Sequence, residues 1–139
     1  MTTVTDLPFN KYVGLQTSPD PTKLLRLPAN SHYLNHLGTV HASAQLALAE
    51  ATSGEFLLKA VGSSEGLIPV VRRIEARFRK PAHGEITSMV TTPPEAVEKL
   101  RADLAAKGQA LASVAVELYD EAGTNTLSST VEWLIAKRM

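Results

Sequence analysis

The sequence predicts an α+β domain in which one long helix covers an antiparallel sheet. Three observations support this prediction: a run of helix-forming residues at 39–60, an alternating apolar and charged segment at 67–80, and turn residues that separate further short apolar segments. With 139 residues, 44% of them hydrophobic, the chain is long enough to form a core without disulfides or a metal. We expect a single domain over residues 1–139, with residues 1–22 as an N-terminal extension.

The N-terminal part of the chain is predicted to form only short elements. Pro8 and Gly14 restrict any first helix to about residues 10–15. The next apolar stretch, residues 23–27, predicts a short strand that ends at Pro28.

The long helix is predicted from the residues that follow Gly38. Thr39 is suited to be its N-cap, and Gly62 is suited to end it. The helix is rich in small side chains, which predicts close packing against a sheet or another helix. These small residues are Ala42, Ser43, Ala44, Ala47, Ala49, Ala51, Ser53 and Gly54.

The C-terminal half is predicted to supply four strands and one further helix. The segment at 67–80 has the two-residue period of a strand with one buried face. That face is predicted to carry Ile68, Val70, Ile74, Ala76 and Phe78. A helix then begins at Pro94 and ends at Gly108. The remaining strands are predicted at residues 85–92, 110–119 and 126–137.

Composition argues against several classes of function. Fourteen Lys and Arg balance fourteen Asp and Glu, so no net charge draws the chain to nucleic acid or to an anionic membrane. The absence of cysteine excludes disulfides, a thiol nucleophile and thiolate metal ligands. No apolar stretch approaches the length that spans a bilayer, and no signal-peptide pattern follows Met1. A cytoplasmic protein without nucleic-acid or membrane partners is the expectation.

One carboxylate is unusual for its place in the long helix. Glu50 lies among Leu48, Ala49 and Ala51. A carboxylate in apolar surroundings costs free energy unless it is paired, solvated or used in chemistry. Glu50 is therefore a candidate general base or nucleophile, although most glutamates in helices face solvent.

Four residues in the loop before this helix and in the helix itself form a motif: Asn35, Gly38, His41 and Glu50. Its spacing resembles the signature of hotdog-fold acyl-CoA thioesterases, the group that includes the phenylacetate-pathway and hydroxybenzoyl-CoA enzymes. The resemblance implies a hotdog fold, in which an antiparallel sheet wraps around a long central helix. It also implies hydrolysis of an acyl-CoA or another acyl thioester.

The likeness extends beyond the motif. Residues 35–54 look like the small bacterial thioesterase-like hotdog proteins of unassigned substrate. Residues 78–84 are similar to the strand and turn that follow the central helix in the wider family. Together with the order of elements, the resemblance covers roughly residues 25–138.

The resemblance implies a role for each residue of the site. Glu50 would be the family's catalytic carboxylate, which activates water or attacks the thioester carbonyl. Asn35 would orient the carbonyl or the water, and His41 would be a positioning group. The next residue, Ala42, stands where the family usually has glycine, and its backbone N–H would polarise the thioester oxygen from the N-terminus of the helix.

Helix geometry indicates that one chain cannot complete this site. Ala42 and Glu50 are eight residues apart, which corresponds to about 12 Å of helical rise and roughly 80° of rotation. One thioester carbonyl cannot contact both residues. A twofold axis could place Glu50 of one subunit opposite Asn35 and Ala42 of the other, which is how the family's shared sites are arranged. We expect a homodimer, with a tetramer as the larger alternative.

Basic residues of the alternating strand are candidate contacts for coenzyme A, which would be part of the substrate and not a cofactor. Guanidinium groups match phosphate oxygens in a bidentate way. The candidates are Arg73, Arg77, Arg79 and Lys80. Charges on the open face of a strand more often serve solvation and edge protection, so both interpretations stay open.

Other functions also stay open. His36 and Glu50, fourteen positions apart, have the spacing of the histidine and acidic residue in hotdog acyl-carrier dehydratases, but the Pro-Gly pair that precedes the helix in those enzymes is absent. A hotdog dimer that binds acyl-CoA or another hydrophobic ligand without turnover is the non-enzymatic alternative. His32, His36 and His41 could be read as a metal set, but no second carboxylate lies at ligand spacing, so no metal is expected.

Overall fold

A computed structural model describes residues 3–62 and 65–138 of the chain. Its strands are β1 (Gln16–Thr17), β2 (Leu25–Leu27), β3 (Leu67–Phe78), β4 (Ile86–Val90), β5 (Gln109–Tyr119) and β6 (Asn125–Lys137). They form one antiparallel sheet with the order β1-β2-β4-β5-β6-β3. The helices are α1 (Pro8–Val13), α2 (Ala42–Val61) and α3 (Pro94–Lys107). The predicted α+β class, with an antiparallel sheet and one long helix, is confirmed.

The long helix α2 packs across one face of this sheet, against β2, β4, β5 and β6. Its small residues allow the close approach, because Ala49, Ala51 and Ser53 are all buried in the contact. The Nε of Arg101 on α3 donates to the Ala60 carbonyl at 2.8 Å. This bond satisfies one of the carbonyls that the end of a helix leaves free, and it ties α3 to the C-terminal turn of α2.

Buried hydroxyls tie α2 to the sheet at its centre. Thr52 Oγ1 lies 2.6 Å from Ser88 Oγ on β4 and donates to the Leu48 carbonyl of its own helix at 2.7 Å. Ser88 Oγ also accepts from the Leu25 N–H at 3.1 Å. Both hydroxyl side chains are fully buried. One serine therefore joins α2, β2 and β4.

The start of α2 differs from the prediction. His41 and not Thr39 is the N-cap, and its Nδ1 accepts from the Ser43 N–H at 2.9 Å. The Thr39 hydroxyl is instead bonded to the Asn35 side chain, which keeps the chain non-helical for two more residues. The predicted end at Gly62 is confirmed, where φ is 81°.

A β-bulge makes the predicted apolar face of β3 wrong in the first part of the strand, whereas the part from Ile74 to Phe78 is confirmed. The register of β3 on β6 shifts at Arg72, an extra residue without a partner. Beyond this point Ile74 lies opposite buried Val131 and faces α2, because paired residues point to the same side of a sheet. Before it the alternation is reversed, so Ile68 and Val70 lie on the outer face. The face toward α2 carries Leu67, Pro69, Val71, Ile74, Ala76 and Phe78.

The expectation that one face of β3 is buried is also wrong for the single chain. β3 is a 12-residue strand at the edge of the sheet, and no described strand lies beyond it. Large apolar side chains on both of its faces stay open: Ile68 at 41% exposure, Val70 at 48%, Ile74 at 41% and Phe78 at 46%. A long apolar edge is a surface on which another strand can pair.

The other predicted elements occur with small shifts. The first helix begins at Pro8, earlier than predicted, because proline suits the first helical position. The strand predicted at 23–27 is shorter, and the sequence did not predict β1. The three remaining strands are confirmed within two residues at each end, as is the helix from Pro94 to the Gly108 cap.

Removing the Ser88 hydroxyl tests the anchor between α2 and the sheet. We expect Ser88→Ala to lower the free energy of unfolding by about 1–3 kcal/mol, because the buried Leu25 N–H loses its acceptor. Urea denaturation measures this change. The control, Ser113→Ala at an exposed position of β5, is expected to stay within about 0.5 kcal/mol of wild type. Equal losses in both variants would contradict the assignment.

Candidate active site

Asn35 shapes the loop that leads into α2. Its Oδ1 accepts from the N–H groups of Leu37 at 2.9 Å and Thr39 at 3.1 Å, and its Nδ2 donates to Thr39 Oγ1 at 2.9 Å. Gly38 completes the turn in the left-handed region, with φ at 76°. Within the described residues, one Nδ2 hydrogen of Asn35 has no acceptor. Asn35 therefore has a structural role, and one donor remains for a ligand.

The first turn of α2 leaves one backbone donor free. His41 supplies acceptors to three N–H groups, because its Nδ1 binds Ser43 and its carbonyl binds Ala44 and Gln45. The Ala42 N–H has no hydrogen-bond acceptor among residues 3–62 and 65–138. It lies at the positive end of a 20-residue helix. This arrangement suits an oxygen that acquires negative charge.

Asn35 and Ala42 line a common cavity of about 290 Å³. The end of β3 and the residues after it form the opposite wall, where Phe78, Arg79 and Lys80 contribute. The structure thus brings together two of the predicted catalytic positions and two of the predicted basic residues. His41, the third predicted position of this loop, serves as the helix cap and is exposed.

Glu50 lies apart from this cavity, two turns further along α2. Its side chain is half-buried, and this burial raises the pKa of its carboxyl above the ordinary value of 4.5. No hydrogen bond or ion pair reaches this carboxylate from any other described residue. A desolvated, unpaired carboxylate is a stronger base than a solvated one.

Within one chain, Glu50 and the cavity of Asn35 and Ala42 therefore do not meet. The helix between Ala42 and Glu50 is continuous, so their separation of about 12 Å along the axis is fixed by helical geometry. The cavity beside Ala42 does not include Glu50. No single carbonyl can contact both residues within the chain.

The predicted basic residues divide between two locations. Arg79 and Lys80 line the cavity beside Asn35, and Arg79 Nε donates to Ser128 Oγ at 2.6 Å. Arg77 lies opposite Ser128 and lines a separate, open polar cavity of about 680 Å³ that also includes Arg79. Arg73 is paired with the exposed Glu75 of its own strand.

The histidines do not converge. His36 is exposed within the loop before α2, and the ring centroid of His32 lies 4.2 Å from that of Tyr33. In the part of the chain that the structure describes, no three histidine or acidic side chains are grouped as metal ligands.

Two lining residues of the cavity were missed by sequence reasoning. Gln45 is buried and accepts a hydrogen bond at its Oε1 from the Thr126 hydroxyl at 2.8 Å. Phe78 faces the cavity from β3. The bond from Gln45 links residues 81 positions apart, and no local pattern signals such a pair. The one signal in the sequence was that Gln45 is a polar residue among small helix formers.

Comparison with solved structures defines the class of protein. A Pseudomonas aeruginosa protein of unknown function, described as a probable thioesterase, has a TM-score of 0.80 and 27% identity, with 97% of this chain and 91% of that chain covered. A Chlorobaculum tepidum protein of unknown function has a TM-score of 0.79 and 18% identity, with coverage of 95% and 88%. The fold is the hotdog fold of the thioesterase superfamily, as the sequence motif implied.

The family of the chain is identified by the match of its sequence to a family model. The chain belongs to the family described as "Domain of unknown function (DUF4442)", whose model matches residues 15–135. A Bacillus halodurans protein whose crystal structure contains CoA is a more distant structural relative, with a TM-score of 0.67, 14% identity and coverage of 91% of this chain and 74% of that chain. Comparison with curated proteins finds no match.

The structure adds one observation on membranes. Within residues 3–62 and 65–138, no helix combines the length and the apolar character needed to cross a bilayer.

Burial of Glu50 has a consequence for stability that depends on pH. Well below pH 4.5 the carboxyl is protonated in both the folded and the unfolded state. As pH rises above 4.5, the unfolded chain ionises first, so wild type loses stability until pH passes the raised native pKa. We expect Glu50→Gln to be more stable than wild type above this range and equal to it below pH 4.5. Urea midpoints measured across this range test the difference.

Glu55→Gln is the matched control for this measurement. Glu55 is a half-buried glutamate of the same helix, so its substitution changes the same charge on the same element. The Glu55→Gln variant gives the effect of removing one carboxylate from α2 at each pH, and the Glu50→Gln difference is compared with it. A constant difference between Glu50→Gln and wild type at every pH would show that Glu50 is not desolvated.

Proposed function

We propose that this protein is a thioester hydrolase whose site is completed between two copies of the chain. The observation that carries the proposal is the placement of a desolvated, unpaired carboxylate on the same helix that presents a free N–H beside Asn35. The similarity to a probable thioesterase of Pseudomonas aeruginosa supports the same class of reaction. Acyl-CoA is the proposed substrate class.

The residues account for each step of hydrolysis. The Glu50 carboxylate takes a proton from water while the water oxygen bonds to the thioester carbon. The carbonyl oxygen becomes negatively charged, and the Ala42 N–H and the free Asn35 N–H stabilise it. The carbon–sulfur bond then breaks, and the departing thiolate receives the proton from Glu50. The products are a carboxylic acid and a free thiol.

The dimer is proposed to form along β3. This strand is a free edge with exposed Ile74 and Phe78 on the face toward α2. Pairing of two β3 strands about a twofold axis would join the two sheets and bring each Phe78 end of β3 to the other subunit. Such an arrangement would allow Glu50 of one subunit to face Asn35 and Ala42 of its partner.

Coenzyme A is proposed to lie on the side of the site that contains Arg79 and Lys80. Both residues line the cavity with Asn35 and Ala42, so a CoA chain that leaves the thioester on this side would run toward their cationic groups. The CoA found with the Bacillus halodurans relative supports this type of ligand. Arg77 and Arg73 lie outside this cavity and are left out of the proposed CoA contact.

Substitution of Glu50 tests the reaction. We expect Glu50→Gln to lower kcat/KM for acyl-CoA hydrolysis by about 10²–10⁴-fold, because the general base is lost. The wild-type rate is expected to rise with pH through the raised pKa of Glu50. Release of free thiol from a panel of short, medium, long and aromatic acyl-CoAs measures both effects. Glu55→Gln is the control and is expected to retain wild-type rates.

Two further results of this assay decide the proposal. Asn35→Asp keeps the Oδ1 acceptor that holds the loop but removes the Nδ2 donor, so we expect a folded variant with a rate about 10²-fold lower. Absence of turnover by wild type across the panel contradicts the hydrolase and favours a ligand-binding dimer. Hydration of enoyl thioesters that His36→Ala abolishes would favour the dehydratase.

Sedimentation tests the role of the β3 edge. We expect wild type to be at least dimeric and Ile74→Lys to be largely monomeric, because an inward-pointing charge on an edge strand opposes pairing. The monomer is expected to lose hydrolysis with its fold retained. Leu111→Lys, at a 59% exposed position on β5, is the control and is expected to retain a dimer. A fully active monomer would contradict the shared site.

A further inference from the structure

A second cavity lies beside the C-terminal half of α2. Its volume is about 270 Å³, and every lining residue within 3–62 and 65–138 is apolar. One wall is α2, the second comes from the paired ends of β3 and β6, and the third is the 3₁₀ turn Val4–Asp6 with the residue after it. The lining consists of Val4, Leu7, Gly54, Leu57, Leu58, Val61, Leu67, Pro69, Trp133 and Ile135.

This apolar cavity begins one helical turn beyond Glu50. Gly54 follows Glu50 by four residues, so the two positions lie on the same face of α2. Leu57 and Val61 continue that face and also line the apolar cavity. A ligand group beside Glu50 therefore lies on the helix face that continues into the apolar cavity.

The indole nitrogen of Trp133, at the wall of the apolar cavity, already has a hydrogen-bond acceptor. Trp133 Nε1 donates to Ser53 Oγ at 2.8 Å, and Ser53 in turn donates to the Glu50 carbonyl at 2.6 Å. The indole therefore presents hydrocarbon to the cavity, with no donor left for a ligand. Apolar cavities without polar partners do not hold ordered water and accept hydrocarbon groups.

We propose that this cavity binds the alkyl part of a straight-chain, medium-length acyl group. The inference rests on the proposed function in so far as the thioester carbon of that acyl group lies beside Glu50. The apolar lining excludes acyl groups that carry a charged or hydroxylated far end, because such an end would find no hydrogen-bond partner.

The volume sets the length of the chain. A cavity of 270 Å³ holds about eight or nine methylene groups if each occupies roughly the 30 Å³ share of a small liquid molecule. The turn of helix between Glu50 and Gly54 spans a few further carbons. Decanoyl and dodecanoyl groups fit within the number of carbons that the cavity and this turn accommodate together, whereas hexadecanoyl exceeds that number.

Gly54 is the lining residue of the apolar cavity that is nearest to Glu50 along α2. A Cβ at this position would lie 3.5 Å from Trp133 Cζ2 and 3.7 Å from Val4 Cγ2, which is ordinary contact distance. Gly54→Ala is therefore expected to fold with little change to the apolar cavity. Gly54→Leu extends a side chain into the space that the alkyl group would occupy.

Binding can be measured without turnover. Trp133 is the single tryptophan of the chain, so its fluorescence reports on occupation of the cavity that it lines. We expect saturable fluorescence changes in the full-length Glu50→Gln protein with hexanoyl-, decanoyl-, dodecanoyl- and hexadecanoyl-CoA. Affinity is expected to rise about fourfold per methylene up to dodecanoyl, and to rise no further at hexadecanoyl.

The Gly54 variants connect binding to the cavity. In Gly54→Leu we expect affinity for decanoyl and dodecanoyl to fall by about fourfold for each excluded methylene while hexanoyl is unchanged. Gly54→Ala, the matched control, is expected to keep the wild-type preference. If Gly54→Leu does not fold, Leu7→Ala replaces it, because a smaller wall residue is expected to shift the preference to longer chains.

The outcomes separate the two proposals. Chain-length-dependent fluorescence that Gly54→Leu shortens supports the alkyl site even if no thioester is hydrolysed. Hydrolysis that is indifferent to chain length and to the Gly54 variants overturns the alkyl site and leaves the hydrolase intact. Phenylacetyl-CoA that binds as tightly as dodecanoyl-CoA, with no effect of Gly54→Leu, overturns the straight-chain assignment.

Discussion

The buried contact between α2 and the sheet is the interaction on which the rest of the structure depends. It sets the free N–H of Ala42 beside the loop of Asn35 and fixes Glu50 two turns away. The small side chains of α2 allow the close approach, and the buried Thr52 and Ser88 hydroxyls hold the helix at one position along the sheet. A shift of α2 would move both halves of the candidate site together.

This rigid arrangement has a cost and a consequence. The cost is the burial of the Glu50 carboxylate without a partner. This burial raises the pKa of Glu50 and lowers the free energy of unfolding at neutral pH. The consequence is that a single chain contains a desolvated carboxylate and a free helix N–H that cannot contact the same carbonyl. The apolar edge of β3 is open in the same chain. The proposed second copy would bring the candidate residues together and would pair with the open outer edge of β3.

Local patterns in the sequence predicted most of the elements, and they failed where a distant contact decided the outcome. The Gly62 and Gly108 caps ended two helices as predicted, because a helix end depends on one or two residues. The N-cap at Thr39 was wrong because the Asn35 side chain binds that hydroxyl. The predicted face of β3 was wrong before Arg72, because this extra residue reverses the alternation. Neither effect produces a periodic pattern in the sequence.

The sequence by itself determined the class of fold, the candidate residues Asn35, Ala42 and Glu50, and the distance between them, because helical rise depends only on residue count. Tertiary structure alone decided which groups meet. It placed Arg79 and Lys80, but not Arg77, in the cavity of Asn35 and closed an apolar cavity around Trp133. Cavities form between elements that are far apart in the chain, so their volume and lining follow from packing and not from local pattern.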